Sequence, residues 1–250
     1  MKFKNLIILS FLLLSVASFS QNTWVITHAS SGKIAIDSTT ELTADKEYEA
    51  YLQPIKQKID AQMNVVIGRV AVTMKAHAPE SLLSNFSADV YRSAASAYAG
   101  EPVDMAVSNL GGLRTVIPAG NITVGKVFEL MPFENELVIL WLRGDKVMEL
   151  LQYFAGMGGE GVSGLRMVIR HGKAEEVTIG GKPLDPSKLY SIATSDYLAG
   201  GNDHMVQLAQ YEKRTNTGLK IRTVLLDYIQ KETKKGNMIQ SKMDGRITVK

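Results

Sequence analysis

The sequence predicts an α+β fold, a single domain with a mixed β-sheet flanked by helices. Three observations carry this expectation. The 250 residues are 45% hydrophobic and 21% charged, an ordinary globular balance that can fill a sizeable core. Short apolar runs of strand character are interleaved with stretches whose apolar residues recur at helical spacing, in a mixed order rather than a strict β–α alternation. No internal repeat, low-complexity segment or second composition regime divides the chain.

The first residues stand apart. Met1-Lys2-Phe3-Lys4 is a basic start, and residues 6–16 are an apolar run too short to span a bilayer comfortably. Ser18 and Ser20 are small residues at −3 and −1 of a cleavage point before Gln21. Residues 1–20 therefore read as a secretory signal peptide and residues 21–250 as the mature domain, exported to the periplasm or the extracellular space. No later apolar run resembles a membrane span.

After the leader, residues 22–37 alternate apolar and polar side chains and read as an extended hairpin or linker. Thr43 is the expected N-cap of a helix in which Tyr48, Tyr51, Leu52, Ile55, Ile59, Met63, Val66 and Ile67 keep helical spacing to about Gly68. Pro54 is expected to kink that helix or mark its boundary. Val70, Val72 and Met74 alternate as a strand. Ser84 or Asn85 is the expected cap of a helix carrying Phe86, Val90, Ala94 and Ala97, stopped at Gly100.

Residues 103–107 are a short apolar run, hence a buried strand, and the unbroken run 137–142 predicts a strand covered on both faces. Asp145 is the expected cap of a helix with Val147, Leu150, Leu151 and Phe154 on one face, followed by a flexible glycine-rich loop over residues 156–161. Leu165, Met167 and Ile169 alternate with Arg166 and Arg170 as a half-exposed strand. Gly180-Gly181 is a turn between two further extended stretches. Tyr190, Ile192 and Thr194 form a strand that delivers Asp196 and Tyr197 to the next loop. Ile221, Val224, Leu225, Tyr228 and Ile229 define a last long helix, and residues 244–249 a closing strand.

Composition and spacing narrow the chemistry. A net charge of +3, lower once Lys2 and Lys4 leave with the leader, gives no argument for a nucleic acid or a membrane surface as partner. The absence of cysteine excludes disulfides, thiolate metal sites and a cysteine nucleophile. Among His28, His77, His171 and His204 no two lie at i,i+4 spacing, and none belongs to a D-x-H or H-x-H pair. Asn202-Asp203-His204 offers one carboxylate and one imidazole, too few ligands for a metal site. Ser195 and Asp196 sit in no G-x-S-x-G elbow. Neither a catalytic residue, a metal ligand nor a cofactor is therefore expected in this chain.

Recognition is better represented. Ser108-Asn109-Leu110-Gly111-Gly112-Leu113-Arg114 places an amide, two glycines and a guanidinium on a loop at a strand end. Paired glycines let backbone N–H groups approach a ligand, and arginine offers a planar fork suited to carboxylate, phosphate or diol. Met131-Pro132-Phe133-Glu134-Asn135 presents Phe133 from a proline-stiffened turn. Phe133 and Tyr197 both read as loop residues following strands, and two facing rings make a slot for a flat heterocycle. On the residues alone the same pattern also fits two ordinary loops with a surface arginine and aromatic core plugs.

The segment 109–135, with Ile122-Thr123-Val124-Gly125 inside it, resembles the C-terminal, substrate-binding domain of the 5′-nucleotidase / UDP-sugar hydrolase family. So do Ala193-Thr194-Ser195-Asp196-Tyr197-Leu198-Ala199-Gly200-Gly201-Asn202-Asp203 and Glu80-Ser81-Leu82-Leu83-Ser84-Asn85-Phe86-Ser87-Ala88-Asp89. The resemblance covers nearly all of the mature chain, with the blocks in family order, and implies a domain that binds a nucleotide by base and sugar. It implies Phe133 and Tyr197 as the aromatic walls, Asn109 and Asn135 as amides meeting the base, and Arg114 as a substrate-contacting guanidinium. Asp203 would be the acid on the ribose, and Gly111 and Gly164 would lie in loops that approach the ligand. Leu110, Asn202 and His204 stand where the family usually has glycine, and His77 where an arginine often precedes the Glu80 block.

The family's two-metal phosphoesterase motifs, D-x-H, G-N-H-[DE] and G-H-x-H, do not occur in the sequence, and the leader directly precedes the resembling segment. Two readings follow. In one, the chain is the substrate-recognition half of a secreted 5′-nucleotidase-type hydrolase, with divalent metals and hydrolysis supplied by a separate metallophosphoesterase chain. In the other, it is a stand-alone, non-catalytic nucleoside- or nucleotide-binding module. A secreted structural domain with a decayed pocket is a third reading.

The leader pattern predicts a mature N-terminus near Gln21. Mass analysis of exported protein should show it, and an intact Met1 would refute cleavage.

Overall fold

Period-two alternation in the apolar strands decides the architecture, because it gives the central sheet two apolar faces. The computed structural model describes residues 24–35 and 45–250, so the expected leader and the expected Thr43 cap lie outside the described residues. Internal contacts divide the chain between Ala50 and Tyr51. Before that point, residues 24–35 are exposed and carry no strand, which leaves the linker reading of that stretch.

The first helix, α1 (Lys46–Met63), starts at Asp45, whose Oδ1 accepts the backbone N–H groups of Glu47 and Tyr48 at 3.0 and 3.2 Å. It continues past Pro54 and is shorter than the periodicity predicts. Val66 and Ile67 belong instead to strand β1 (Val66–Val70), where β-branched side chains favour extended backbone and β3 (Gly120–Thr123) is there to pair with. No α1 residue is buried, so its apolar stripe is not the core face that the spacing implies. The expected strand over Val70–Met74 reduces to the end of β1 and an isolated bridge from Met74 to Ile117.

Helix α2 (Leu82–Ala99) is capped by Ser81 rather than Ser84 or Asn85. Ser84 is its reciprocal partner in a capping box, donating its backbone N–H to Ser81 Oγ and accepting the Ser81 N–H at its own Oγ. Gly100 ends the helix at φ 72°, as the sequence predicts.

The five-stranded sheet has the order β10–β4–β9–β2–β5, built from β2 (Met105–Ser108), β4 (Glu136–Arg143), β5 (Gly161–Ser163), β9 (Leu189–Ser195) and β10 (Lys213–Lys220). β9 runs parallel to β2, whereas β4 is antiparallel to both β9 and β10, and β5 is antiparallel to β2. The sheet is mixed, as expected. Two smaller sheets accompany it, β1–β3 and a four-stranded one of order β11–β6–β7–β8, with β6 (Leu165–Arg170), β7 (Lys173–Ile179), β8 (Lys182–Pro183) and β11 (Ile247–Val249).

Alternate residues of the central strands serve alternate cores. Leu137, Ile139, Ala106 and Ala193 join Phe86, Tyr91, Leu225 and Ile229 on the face covered by α2 and α6 (Ile221–Lys234). Val138, Leu140, Leu142, Met105 and Ile192 join Leu150, Phe154, Met167 and Ile169 on the face covered by α4 (Gly144–Gly156) and the four-stranded sheet. Arg143, not Asp145, occupies the N-cap position of α4 and makes no side-chain cap bond. Short helices α3 (Val124–Leu130) and α5 (Asp196–Ala199) lie next to the loops described below.

A buried guanidinium locks the C-terminal strand to the rest. Arg246, with its side chain 7% exposed, donates to both oxygens of Asp89 (2.9 and 3.1 Å), to both of Asp244 (3.0 and 3.2 Å) and to Val162 O at 2.8 Å. All five guanidinium N–H groups are used, tying α2, β5 and β11 together. Arg246→Ala should lower unfolding free energy by roughly 2–3 kcal/mol, read from urea midpoints, since it leaves half-buried carboxylates and a carbonyl without their charged donor. Arg246→Lys should recover little of it, because one ammonium does not span three acceptor groups.

Candidate functional site

Strand direction brings five segments to one end of the central sheet. β2 and β9 are parallel, so Ser108 and Ser195 both finish there. β4 is antiparallel, so it begins there, with Leu137 opposite Ser195. β5 begins there too, with Gly161 opposite Ser108, and β10 ends there, with Lys220 opposite Glu136. Phe133 thus lies in a turn between α3 and the start of β4, not in a loop after a strand as the sequence reading has it. An antiparallel strand presents its first residues where its parallel neighbours present their last.

A cavity of about 330 Å³ opens at this end. Asn109, Gly111, Arg114, Phe133, Asn135, Tyr197 and Asp203 line it, with Tyr91, Val107, Ser108, Met131, Leu198 and Ile221 forming apolar and polar floor. Gly164 does not. It turns between β5 and β6 at φ 81°, and a Cβ there would sit 2.2 Å from Asp104 O, so tight backbone packing requires the glycine. His77 and His204 are also outside the lining. Phe133 and Tyr197 are 41% and 43% exposed, so neither ring is a core plug.

Two carboxylates organise the walls. Asp203 Oδ2 accepts from Asn109 Nδ2 at 2.6 Å, its Oδ1 accepts from the Tyr197 hydroxyl at 2.8 Å, and its carbonyl accepts from Tyr153 at 2.9 Å. That hydrogen bond to an anion raises the Tyr197 hydroxyl pKa above its ordinary value. Asp203 and His204 hold φ of 53° and 60°, left-handed backbone that non-glycine residues adopt at some cost. Asp196 Oδ1 accepts from Asn135 Nδ2 at 2.9 Å, Glu136 N at 3.1 Å and Tyr197 N at 2.8 Å, so one oxygen joins the Phe133 turn to the Tyr197 helix. Arg114 donates to Gly111 O at 3.2 Å, which folds its stem back over its own loop.

Glu160 is the residue that sequence reasoning missed. It is 7% exposed and lies beneath the Asn109 loop, where its Oε1 accepts Leu110 N at 2.6 Å and Gly161 N at 2.9 Å. The available signal is a lone acid inside Gly156-Met157-Gly158-Gly159-Glu160-Gly161. That stretch is not simply flexible, since a Cβ on Gly159 would lie 2.6 Å from Pro79. Burial pushes the Glu160 carboxyl up to about 7, against the pull of its two backbone donors and with help from the Asp203 charge.

The raised value has a definite sign. Between its ordinary pKa of 4.5 and about 7 the folded protein binds the proton more tightly than the unfolded chain does. Glu160 therefore contributes stability that is full below the lower value and is lost as pH rises through the upper one. Both backbone bonds fall on Oε1, so a proton on Oε2 leaves them intact. Glu160→Gln keeps that acceptor and removes the titration. The wild-type urea midpoint should fall relative to that of the variant as pH rises across this window. A constant difference would refute the buried proton.

Among the described residues no group of three or more histidine, aspartate or glutamate side chains is placed to hold a metal ion. No described helix is long and apolar enough to cross a membrane.

The 5′-nucleotidase, C-terminal domain family matches residues 66–210, from β1 to just before β10. In sequence the chain is similar to the protein UshA of Yersinia enterocolitica, 31% identical over 201 residues that cover 78% of this chain and 36% of that protein. It is similar to a 5′-nucleotidase of Vibrio cholerae at 27% identity, covering 77% of this chain and 36% of that one. In structure it is similar to a 5′-nucleotidase precursor from Thermus thermophilus, with a TM-score of 0.69 and 28% identity over 81% of this chain and 42% of that one. The chain thus spans little more than a third of the length of the curated relatives it matches. With more than half of its residues inside the family match, and the mixed sheet and terminal loops described above, this chain belongs to the 5′-nucleotidase C-terminal domain family.

Proposed function

We propose that this chain binds a nucleotide or nucleoside and serves as the substrate-recognition half of a secreted 5′-nucleotidase-type hydrolase, with metal-dependent phosphoester hydrolysis supplied by a separate chain. One observation carries the binding half of this reading. Two exposed aromatic rings, an arginine and a doubly anchored carboxylate line a single cavity.

Each part has a chemical use. The faces of Phe133 and Tyr197 suit a flat heterocycle. A carboxylate has about four acceptor positions, and Asp203 spends one on Asn109 and one on Tyr197, which leaves capacity for the two hydroxyls of a ribose. Asn135 gives its N–H to Asp196 and keeps its carbonyl oxygen for a donor on the ligand edge. Arg114 supplies the positive charge at the rim.

The hydrolytic half rests on ligand chemistry and on coverage. A two-metal hydrolysis needs several convergent carboxylates and imidazoles. The described residues form no such set, and the sequence has none of the D-x-H, G-N-H-[DE] or G-H-x-H motifs. The chain covers 36% of the 5′-nucleotidase of Vibrio cholerae, which leaves most of that protein without a counterpart here. The divalent metals of such a reaction belong, in this reading, to the partner. The leader-like residues at the start support export of this component.

Calorimetric titration with adenosine and AMP should show saturable binding whose strength does not depend on added divalent metal. Phe133→Ala and Tyr197→Ala should each weaken it by roughly 1–3 kcal/mol, the usual range for removing one stacked aromatic, with unchanged circular dichroism. The protein alone should release no phosphate from AMP with Mn²⁺, Co²⁺ or Zn²⁺. Mixing with a cognate metallophosphoesterase should restore or redirect activity. Phosphate release that follows the isolated protein through purification would overturn the division of labour, and binding with no effect on any metallophosphoesterase would leave a stand-alone module.

A further inference from the structure

We propose that Arg222 is the positioning residue of the Phe133 wall: its buried guanidinium fixes the turn that presents this ring, and thereby sets affinity for the flat ring of the ligand rather than for its sugar. The inference rests on the nucleotide-binding reading above.

Phe133 is 41% exposed, so packing of its own ring does not hold it in place. The backbone of the turn must do so, and its carbonyls are taken almost entirely by the start of α6. Arg222 Nη1 donates to Met131 O at 3.2 Å and to Phe133 O at 3.4 Å. Lys220 Nζ donates to Glu134 O at 3.1 Å, and the backbone N–H of Ile221 to Asn135 O at 2.9 Å. Three successive residues thus grip four carbonyls around one ring.

Arg222 differs from the exposed Lys220 in being 9% exposed, with its guanidinium 4.1 Å from the centre of the Phe128 ring and its Nη2 paired with the Glu134 carboxylate. A buried cation needs its partners, and every polar partner described for this one lies on the turn. Any movement of the turn away from α6 strips the guanidinium of two carbonyls and its counter-ion together. The turn and the helix start are therefore coupled more strongly than the exposed Lys220 contact alone would achieve. Asp196 anchors the far end of the same turn through Asn135 and Glu136, so Phe133 hangs between two fixed points.

The coupling makes a separable prediction, because Arg222 is not part of the cavity lining whereas Phe133 is. In the full chain, 4-fluorophenylalanine at position 133 reports the ring directly by ¹⁹F NMR, and titrations with adenosine and with ribose 5-phosphate separate the base from the sugar. Arg222→Met, which keeps an apolar stem of similar length, should move or broaden the fluorine line. It should weaken adenosine by about tenfold, within the range of one lost stacking contact, and leave ribose 5-phosphate unchanged. Phe133→Ala combined with Arg222→Met should be no weaker for adenosine than Phe133→Ala alone. Arg222→Lys, the milder variant if the methionine does not fold, should show the same pattern in smaller measure, since an ammonium lacks the fork.

An unchanged fluorine line in a folded variant overturns the proposal, and so does an equal loss for both ligands, which would mark a general structural role. If the wild type binds neither ligand, the nucleotide reading falls while the fluorine line still decides whether Arg222 holds the ring.

Discussion

The antiparallel pairing of β4 with β9 is the constraint on which the rest of this domain depends. Seven residue pairs, from Leu137 with Ser195 to Arg143 with Leu189, place the strands in one register. A slip by one residue would exchange the side chains that point into the two cores. Leu137 and Ile139 would leave the cluster under α2 and α6, and Val138 and Leu140 would leave the one under α4. The same register fixes the height at which the Phe133 turn and the Tyr197 helix emerge. Asp196, immediately after β9, bonds Glu136 N at the start of β4, so the site is a direct extension of the ladder.

At that end of the sheet, carboxylates do the work of joining loops. Asp196 is half-buried and Asp203 exposed, and each carboxylate accepts from donors on two segments. Glu160 is placed differently. It is buried under the glycine loop, holds backbone N–H groups through one oxygen, and keeps a proton to about 7. The walls of the cavity are thus organised by carboxylates nearer the solvent, and the Asn109 loop by a buried acid that keeps its proton over much of the acidic range. This division follows from burial, since desolvation penalises a charge far more beneath the loop than at the rim.

Helix α1 shows where pattern and packing part. Tyr51, Leu52, Ile55 and Ile59 keep the spacing of a core-facing helix, yet they are between 40% and 68% exposed. Periodicity marks residues that would profit from burial against something and says nothing about what that is. Val66 and Ile67 continue the same spacing but enter β1, where pairing with β3 and contact with the α6 side of the core outweigh one more helical turn.

By itself the sequence determined the strands and helices whose apolar residues are dense and strictly periodic, among them residues 137–142, the Phe86 helix and the Ile221 helix. It also determined, through a family resemblance carried by local blocks, seven of the residues that line one cavity, because glycine pairs, a proline turn and loop aromatics leave marks at short range. Tertiary structure decided what depends on strand direction and on partners distant in the chain. Phe133 faces the cavity from the turn that leads into an antiparallel strand, and Gly164 serves tight packing against Asp104 instead of the site. Glu160 and Arg222 hold loops that lie 50 and 89 residues away in sequence. Such long-range hydrogen bonds have no local signature. They exist only because the folded sheet brings five chain segments to one end, where each buried polar group must find its partner.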